Sequence, residues 1–471
     1  MWSKSKNRET PVALCEHQRI MCPQRKWAGQ TALESSSLVR WLPLIVIEAF
    51  LNATILVFAW CSWPIDDPES LYLYVGAAHL LLALGYYCGL RRIPGACPSR
   101  IAQIGWRQML TAGIFVTLVM SPLLIYSNTG GSMDIISGLR NPGDTYIESR
   151  LRSQQGMGIN SLTLYAGQTR ILLGFLILLV LPAGALFWNR ISGLMKAGVV
   201  AAGVAHILES TGAGRNKGFA DILLVLPWLM FLQKANRIKA LSAPRGMLIV
   251  SVAALAALFG FWAYFNRNIG QRSNGPGDMT FYDKNGNIII SLHPFPNDSM
   301  NAFLNPMISY CTQGYYGLAC SLELPFEWTY GVGNSPIWTI YADKYWAGTD
   351  SIAAKTYARR VEAKYGWDSY VCWHTVYPWV AGDFTFPGTL VIVFILGMVL
   401  AMTWRDSIER QNYLAATLFI WIMVGLSYFS ANDQLMQMEE CVLGLWVALF
   451  LWWATRSAMR LRSSPRIRQY E

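Results

Sequence analysis

Charge is scarce in this chain. Of 471 residues, 38 are Lys or Arg and 28 are Asp or Glu, so 14% are charged. Soluble domains carry about 25%, which argues against a soluble globular protein. Histidine is rarer still, at 5 residues, so few side chains are available as a neutral-pH base. No apolar core lies near the start of Met1–Val39, so no cleavable signal peptide is expected there. A Walker A loop is lacking, which excludes an ATP-driven pump of that type, and so is an HExxH motif. No internal repeat is apparent, so an inverted-repeat transporter gains no support. No inner loop is large enough for a sugar-nucleotide-binding domain.

What is present is apolar and arranged in blocks. The chain is 53% hydrophobic with a mean hydropathy of +0.29. The blocks run to about twenty residues, the length that crosses ~30 Å of hydrocarbon. The expected fold is all-α and polytopic, with about ten (10–12) transmembrane helices, both termini cytoplasmic and one large periplasmic loop. The spans are placed near Trp41–Trp63, Leu71–Leu90, Met109–Ser127, Ile171–Trp188, Ala197–Leu208, Phe219–Leu232, Gly246–Phe265, Phe386–Trp404, Tyr413–Phe429 and Cys441–Thr455. Basic residues gather at nearly every expected inner end, from Arg91 and Arg92 to Arg405 and Arg410. That pattern accounts for the formal charge of +10 without nucleic acid.

The expected organisation is a basic cytoplasmic tail (1–39) and a seven-helix section (40–265). Three more helices (386–455) and a basic tail (456–471) end the chain. The outer segments are 128–170, a short turn at 209–218, and a lobe at 266–385. The lobe is rich in Trp, Tyr and Phe and short of charge runs, so it is expected to fold. Met307–Leu324 is the place within it for a short or re-entrant hairpin. The lobe cysteines Cys311, Cys320 and Cys372 are odd in number, so no pairing is read from them. Cys15, His17 and Cys22 lack a fourth ligand at zinc spacing, and no metal site is expected.

Several outer residues have the chemistry of a site. The turn Ser210-Thr-Gly-Ala-Gly-Arg-Asn-Lys-Gly218 sets Arg215 and Lys217 at the membrane surface among glycines. Free amides and a guanidinium fork suit a phosphate or diphosphate; plain positive decoration is the alternative. Arg140, Arg150 and Arg152 offer further cations, beside Asp144 and Glu148 on one helix face. The plainer alternative there is an amphipathic surface helix. Ser309-Tyr-Cys-Thr-Gln-Gly-Tyr-Tyr-Gly317 and Glu327-Trp-Thr-Tyr-Gly-Val-Gly-Asn-Ser335 mix aromatic rings with glycine. Such faces suit sugar rings, or an aromatic belt at the membrane. His374 is a candidate base or a structural histidine. Asp383 sits where the chain re-enters the membrane, a costly place for an unpaired carboxylate. His79 and His206 read equally as helix–helix hydrogen bonders. Glu48 is the one carboxylate expected near the middle of a span.

The segments Tyr310-Cys-Thr-Gln-Gly-Tyr-Tyr-Gly-Leu-Ala319, Pro325–Ser335, Tyr377–Gly388 and Arg140–Tyr146 resemble Wzy-type polymerases of O-antigen and exopolysaccharide repeat units. The resemblance runs from about Ser132 to Gly388. It implies a bacterial inner-membrane glycosyltransferase acting at the periplasmic face, with neither cofactor nor metal. A growing glycan on undecaprenyl diphosphate would move to the non-reducing end of an incoming lipid-linked repeat unit. The partners implied are undecaprenyl-diphosphate-linked oligosaccharides, membrane lipid, and a chain-length regulator and flippase of the same pathway. Arg215, with Lys217 and one or more of Arg140, Arg150 and Arg152, would hold the diphosphate. His374 or Asp383 would be the base, and Tyr315, Tyr316, Trp328, Tyr330 and Asn334 would hold sugar. An O-antigen ligase, or a glycosyltransferase taking one sugar from a lipid phosphosugar, is the alternative enzyme. A lipid-linked oligosaccharide flippase is the alternative without chemistry.

Overall fold

The computed structural model describes residues 37–92, 105–154, 161–234, 259–272, 279–283, 285–346, 348 and 350–463. Cys15, His17 and Cys22, and most of the expected Gly246–Phe265 span, lie outside the described residues.

The described chain is helical apart from one hairpin. In order it forms α1 (Ser37–Trp60), α2 (Pro68–Arg91), α3 (Trp106–Asn128), α4 (Ile135–Arg140), α5 (Pro142–Gln154), α6 (Ser161–Leu186), α7 (Gly193–Gly212) and α8 (Lys217–Lys234). A helix over 259–272 is α9. The antiparallel strands β1 (Met279–Tyr282) and β2 (Ile288–Leu292) follow. Then come α10 (Asp298–Leu322), α11 (Pro336–Tyr345), α12 (Ile352–Lys355), α13 (Tyr357–Tyr365), α14 (Val376–Arg410), α15 (Tyr413–Ser427) and α16 (Glu439–Ser463).

Among the described residues, five helices are long and apolar enough to cross a membrane: Leu38–Trp60, Pro68–Arg91, Trp106–Asn128, Leu164–Leu186 and Val376–Arg410. The chain is therefore a multi-pass helical membrane protein. Tyr413–Ser427 is apolar but shorter. Three further expected spans are helices, α7, α8 and α16, but they carry charge. His206 and Glu209 interrupt α7, Lys217 and Asp221 begin α8, and Glu439 and Glu440 begin α16.

Glycine allows a very close helix contact in the bundle. A Cβ at Gly85 of α2 would collide with the Phe394 carbonyl, and one at Gly397 of α14 with the Leu82 carbonyl. Small residues allow two backbones this close, where dispersion replaces the missing hydrophobic drive. One helix turn before its apolar run, α14 breaks at Thr385, whose φ of 64° is left-handed. A β-branched residue is costly there.

The connecting segments divide between two ends. At one end, Arg405 of α14 donates to the Leu90 carbonyl at 2.7 Å, and Arg190 to Gln411 at 3.0 Å. At the other, the α7–α8 turn, α4, α5, α9 and the 266–385 lobe meet. Asn268 donates to the Gly214 carbonyl at 2.8 Å and Gln271 accepts from Gly143 N–H at 2.9 Å. Met307–Leu324 is not a hairpin. Residues 307–322 belong to one continuous helix, α10, which reaches into the bundle until the Tyr315 hydroxyl meets Thr54 Oγ1 of α1 at 2.9 Å.

Candidate functional site at the lobe end

The α7–α8 turn is built around Gly214. Its φ is +64°, and a Cβ there would strike the Pro142 carbonyl and Tyr146 N–H of α5. Both facts demand glycine. The Gly214 carbonyl accepts from Asn268 Nδ2 at 2.8 Å and from Arg272 at 2.7 Å. Asn268 also donates to Asn216 Oδ1 at 2.7 Å. Arg272 lies over the Tyr146 ring, 3.4 Å from its centroid. Two buried donors of this clamp, Asn216 Nδ2 and Arg272 Nε, have no hydrogen-bond partner among the described residues.

Arg215 follows Gly214 and is exposed. Its backbone N–H donates to Ser210, while no ion pair or hydrogen bond holds its guanidinium among the described residues. Burial holds Arg272 below the usual arginine value, and the neighbouring Arg215 charge adds to that effect. Two guanidinium groups that repel one another are stabilised together by an anion between them. Arg272 escaped the sequence reading because it lies at the start of the lobe, far in sequence from the turn it grips.

The other expected cations are distributed unevenly. Arg140 is exposed at the end of α4. Arg150 sits 5.8 Å from the centroid of Tyr370, and Arg152 donates to the Asn128 carbonyl at 3.2 Å. Lys217 is committed inward, 3.2 Å from Asp221 Oδ1 and 4.7 Å from the Tyr428 ring centroid. Arg359, Arg360 and Lys364 pair with Glu362, Glu327 and Glu323 on the lobe surface.

Beneath the turn lies a charged cluster that corrects the expectation of Glu48 as the one mid-bundle carboxylate. Arg170 of α6 is 3.0 Å from Glu209 of α7 and 2.8 Å from Glu440 of α16. His206 and Lys217 both contact Asp221, which also accepts from the Tyr428 hydroxyl at 3.0 Å. Glu209 was expected in a polar turn and Arg170 at the edge of an outer loop. Instead α7 runs on to Gly212, and Arg170 lies well inside α6. Arg170, His206, Glu209, Asp221 and Glu440 line a cavity of about 40 Å³ with apolar walls from Met120, Leu124 and Trp421. Glu48 itself is 2.9 Å from His79.

The lobe motifs separate into core and surface. Tyr315 is 1% exposed, and Tyr316 packs against Trp63 and Trp367. Neither is a sugar platform, because both lie on the buried face of α10. Trp328 and Tyr330, each 54% exposed, lie in a loop with ring centroids 4.9 Å apart. Lys355 sits 5.0 Å over the Tyr330 ring.

Asp383 organises that loop. Its Oδ1 accepts from Thr329 Oγ1 (2.6 Å), Gly331 N–H (2.9 Å) and Gly333 N–H (3.2 Å), and its Oδ2 from Asn334 N–H (3.0 Å). A carboxylate engaged on both oxygens is not placed to deprotonate substrate, so Asp383 is a positioning group. Asn334 takes part through its backbone and is half-buried. His374 is also corrected. It is 1% exposed, wedged against Gly317 of α10. Burial pushes its pKa down to about 4, with the Gly317 carbonyl opposing. Among the described residues, no hydrogen bond of good geometry reaches either ring nitrogen. Both ring nitrogens are closed off from solvent, so this imidazole does not meet a sugar hydroxyl. Cys311, Cys320 and Cys372 are free thiols.

A further carboxylate escaped the sequence reading. Asp433 lies in the 428–438 loop between α15 and α16 and is 6% exposed. Its Oδ1 accepts from Met436 N–H at 3.2 Å. Burial raises its pKa to about 7, with Met436 N–H and Lys217 opposing. The signal available in the sequence was an aspartate in the short segment Ala431–Glu440 between two apolar helices.

A multi-pass membrane protein with a cationic turn and an exposed aromatic loop at one end is the class these features define. No protein-family model, no curated protein and no solved structure matches the chain.

Proposed function

We propose that this chain is a glycosyltransferase that polymerises oligosaccharide repeat units carried on undecaprenyl diphosphate. The acting end would face the periplasm of a bacterial inner membrane, and about ten spans would place both termini in the cytoplasm. One observation carries the proposal. Arg215 is an exposed guanidinium on a glycine turn, with no ion pair or hydrogen bond among the described residues and reinforced by Arg272, at the end of the bundle that bears Trp328 and Tyr330. Cleaving a sugar–diphosphate bond builds negative charge on the leaving group. Fixed cations favour that state over the ground state. The aromatic pair offers flat apolar faces to the acceptor sugar. Resemblance of the lobe motifs to repeat-unit polymerases supplies the reaction class.

Replacing Arg215 by Ala tests it. Removing one such stabilising group costs about 10²–10³ in rate, so long polymer should vanish on a lipopolysaccharide or exopolysaccharide gel. Single repeat units should persist. A normal ladder from Arg215→Ala removes this arginine from the mechanism. One sugar added, or one intact chain transferred, points instead to the single-sugar transferase or the ligase.

A transporter of lipid-linked oligosaccharide is the second reading, favoured by the charged groups inside the bundle. The cavity they line, about 40 Å³, has room for a few waters at ~10–15 Å³ each, and not for a sugar. Membrane vesicles whose lipid-linked substrate already faces the acting end discriminate the two. A transporter adds nothing there, whereas a polymerase extends the glycan.

A further inference from the structure

A polymerase needs a group to take the acceptor's proton, and neither His374 nor Asp383 is placed to do so. Resting on the glycosyltransferase reading above, we propose that Asp433 is the general base.

The 428–438 loop is tied into both halves of the candidate site. The Trp379 indole, one turn before Asp383 on α14, donates to Asn432 Oδ1 at 3.0 Å. The Met436 carbonyl accepts from Ser335 Oγ at 2.7 Å, and Ser335 directly follows the loop that displays Trp328 and Tyr330. On its other side Tyr428 bonds Asp221 of α8, four residues beyond Lys217 and six beyond Arg215. The loop therefore bridges the aromatic platform and the cationic turn. Asp433 lies in it with Oδ1 held by Met436 N–H, while no donor among the described residues engages Oδ2. Compare Asp383, which is bonded through both oxygens.

The surroundings also suit a base. Charged or titratable groups on the neighbouring elements are Arg215 in the turn, Lys217 and Asp221 on α8, Asp383 on α14, Glu439 and Glu440 at the start of α16, and Tyr428 on the same loop. Of these, Lys217 is the one whose charge acts on Asp433, against the larger effect of burial. The balance leaves the carboxyl near 7, where a base both ionises and accepts a proton readily. In the step, the acceptor hydroxyl oxygen forms a bond to the anomeric carbon of the donor glycan. The bond from that carbon to the diphosphate oxygen breaks, and its electron pair leaves with the diphosphate, facing Arg215 and Arg272. The hydroxyl proton passes to Asp433 Oδ2 and then to water.

The test uses the full-length protein in detergent or vesicles. The probe is lipid-linked oligosaccharide extracted from cells lacking this chain, with undecaprenyl diphosphate as a binding probe. Wild-type polymer formation should rise through pH 7 as Asp433 ionises. Asp433→Asn should lose at least about a hundredfold in rate while still being stabilised thermally by undecaprenyl diphosphate. Asp433→Glu should keep measurable polymer with a displaced pH midpoint, which answers the question even where the Asn variant folds poorly. Lys217→Met should raise the midpoint, because the ammonium favours the ionised carboxylate. Wild-type rates from Asp433→Asn, or an unmoved midpoint in both Asp433→Glu and Lys217→Met, overturn the assignment while leaving the polymerase intact. No polymer and no diphosphate binding by the wild type overturn the polymerase reading, and this base with it.

Discussion

Two groups of cations occupy the lobe end, and they are treated in opposite ways. Inside the bundle, Arg170 is matched by Glu209 and Glu440, and Lys217 by Asp221. On the turn, Arg215 makes no ion pair among the described residues, although Glu439 lies near enough to feel its charge, and the half-buried Arg272 grips a carbonyl. Low dielectric explains the first group. A buried charge without a counter-charge is so costly that helices from distant parts of the chain must supply one. Water explains why the exposed Arg215 is tolerated, but not why the half-buried Arg272 is set close enough to repel it. In the proposed function, an anionic substrate would give that arrangement a purpose. Matched charge holds the helices together, and unmatched charge is left for something that arrives.

Substitutions can break this contrast, and the largest effect is expected inside. Arg170→Met strands Glu209 and Glu440, and removing one partner of a buried pair costs about 3–5 kcal/mol. The protein should express poorly or unfold at a lower temperature in a detergent melt. An unchanged melt would show that water solvates the cluster. Arg215→Ala should do the reverse, with the melt nearly unchanged and polymer lost. Asp383→Asn comes next. It keeps the size but weakens the hold on three backbone N–H groups, each charge-assisted bond being worth about 1.5–3 kcal/mol. Hydrogen exchange at 329–334 should quicken, and polymer yield should fall several-fold through weaker acceptor binding. Arg140→Ala, exposed on α4, should cost least, within about 0.5 kcal/mol of stability and with a modest loss of polymer. A severe loss would bring Arg140 into the anion site beside Arg215.

The sequence made the membrane-spanning pattern legible, because a run of Leu, Val and Phe has one physical meaning in lipid. It did not make the interior charges legible. Arg170 and Glu440 are 270 residues apart, and each alone looks like the polar edge of a loop. Tyr315 and Tyr316 read the same as Trp328 and Tyr330, since aromatic rings beside glycine serve equally to pack a helix and to display a surface. A continuous helix buries the first pair and a loop exposes the second. Asp383 was correctly marked as costly unless satisfied. Its four donors lie some fifty residues earlier in the chain, and their arrangement turns a candidate base into a clamp. Asp433 drew no notice because only folding gives an isolated aspartate an apolar surround.

The break at Thr385 has a mechanical side. The short leading piece of α14 holds the 329–334 loop through Asp383 and through the Gly382 carbonyl, which accepts from Thr329 N–H at 3.0 Å. The long trailing piece is anchored in the bundle where Gly85 meets Phe394 and Gly397 meets Leu82. The aromatic ledge is thus mounted on a crank rather than on the shaft. A few degrees of rotation about one backbone position would swing Trp328 and Tyr330 together, leaving every lipid-facing residue where it was.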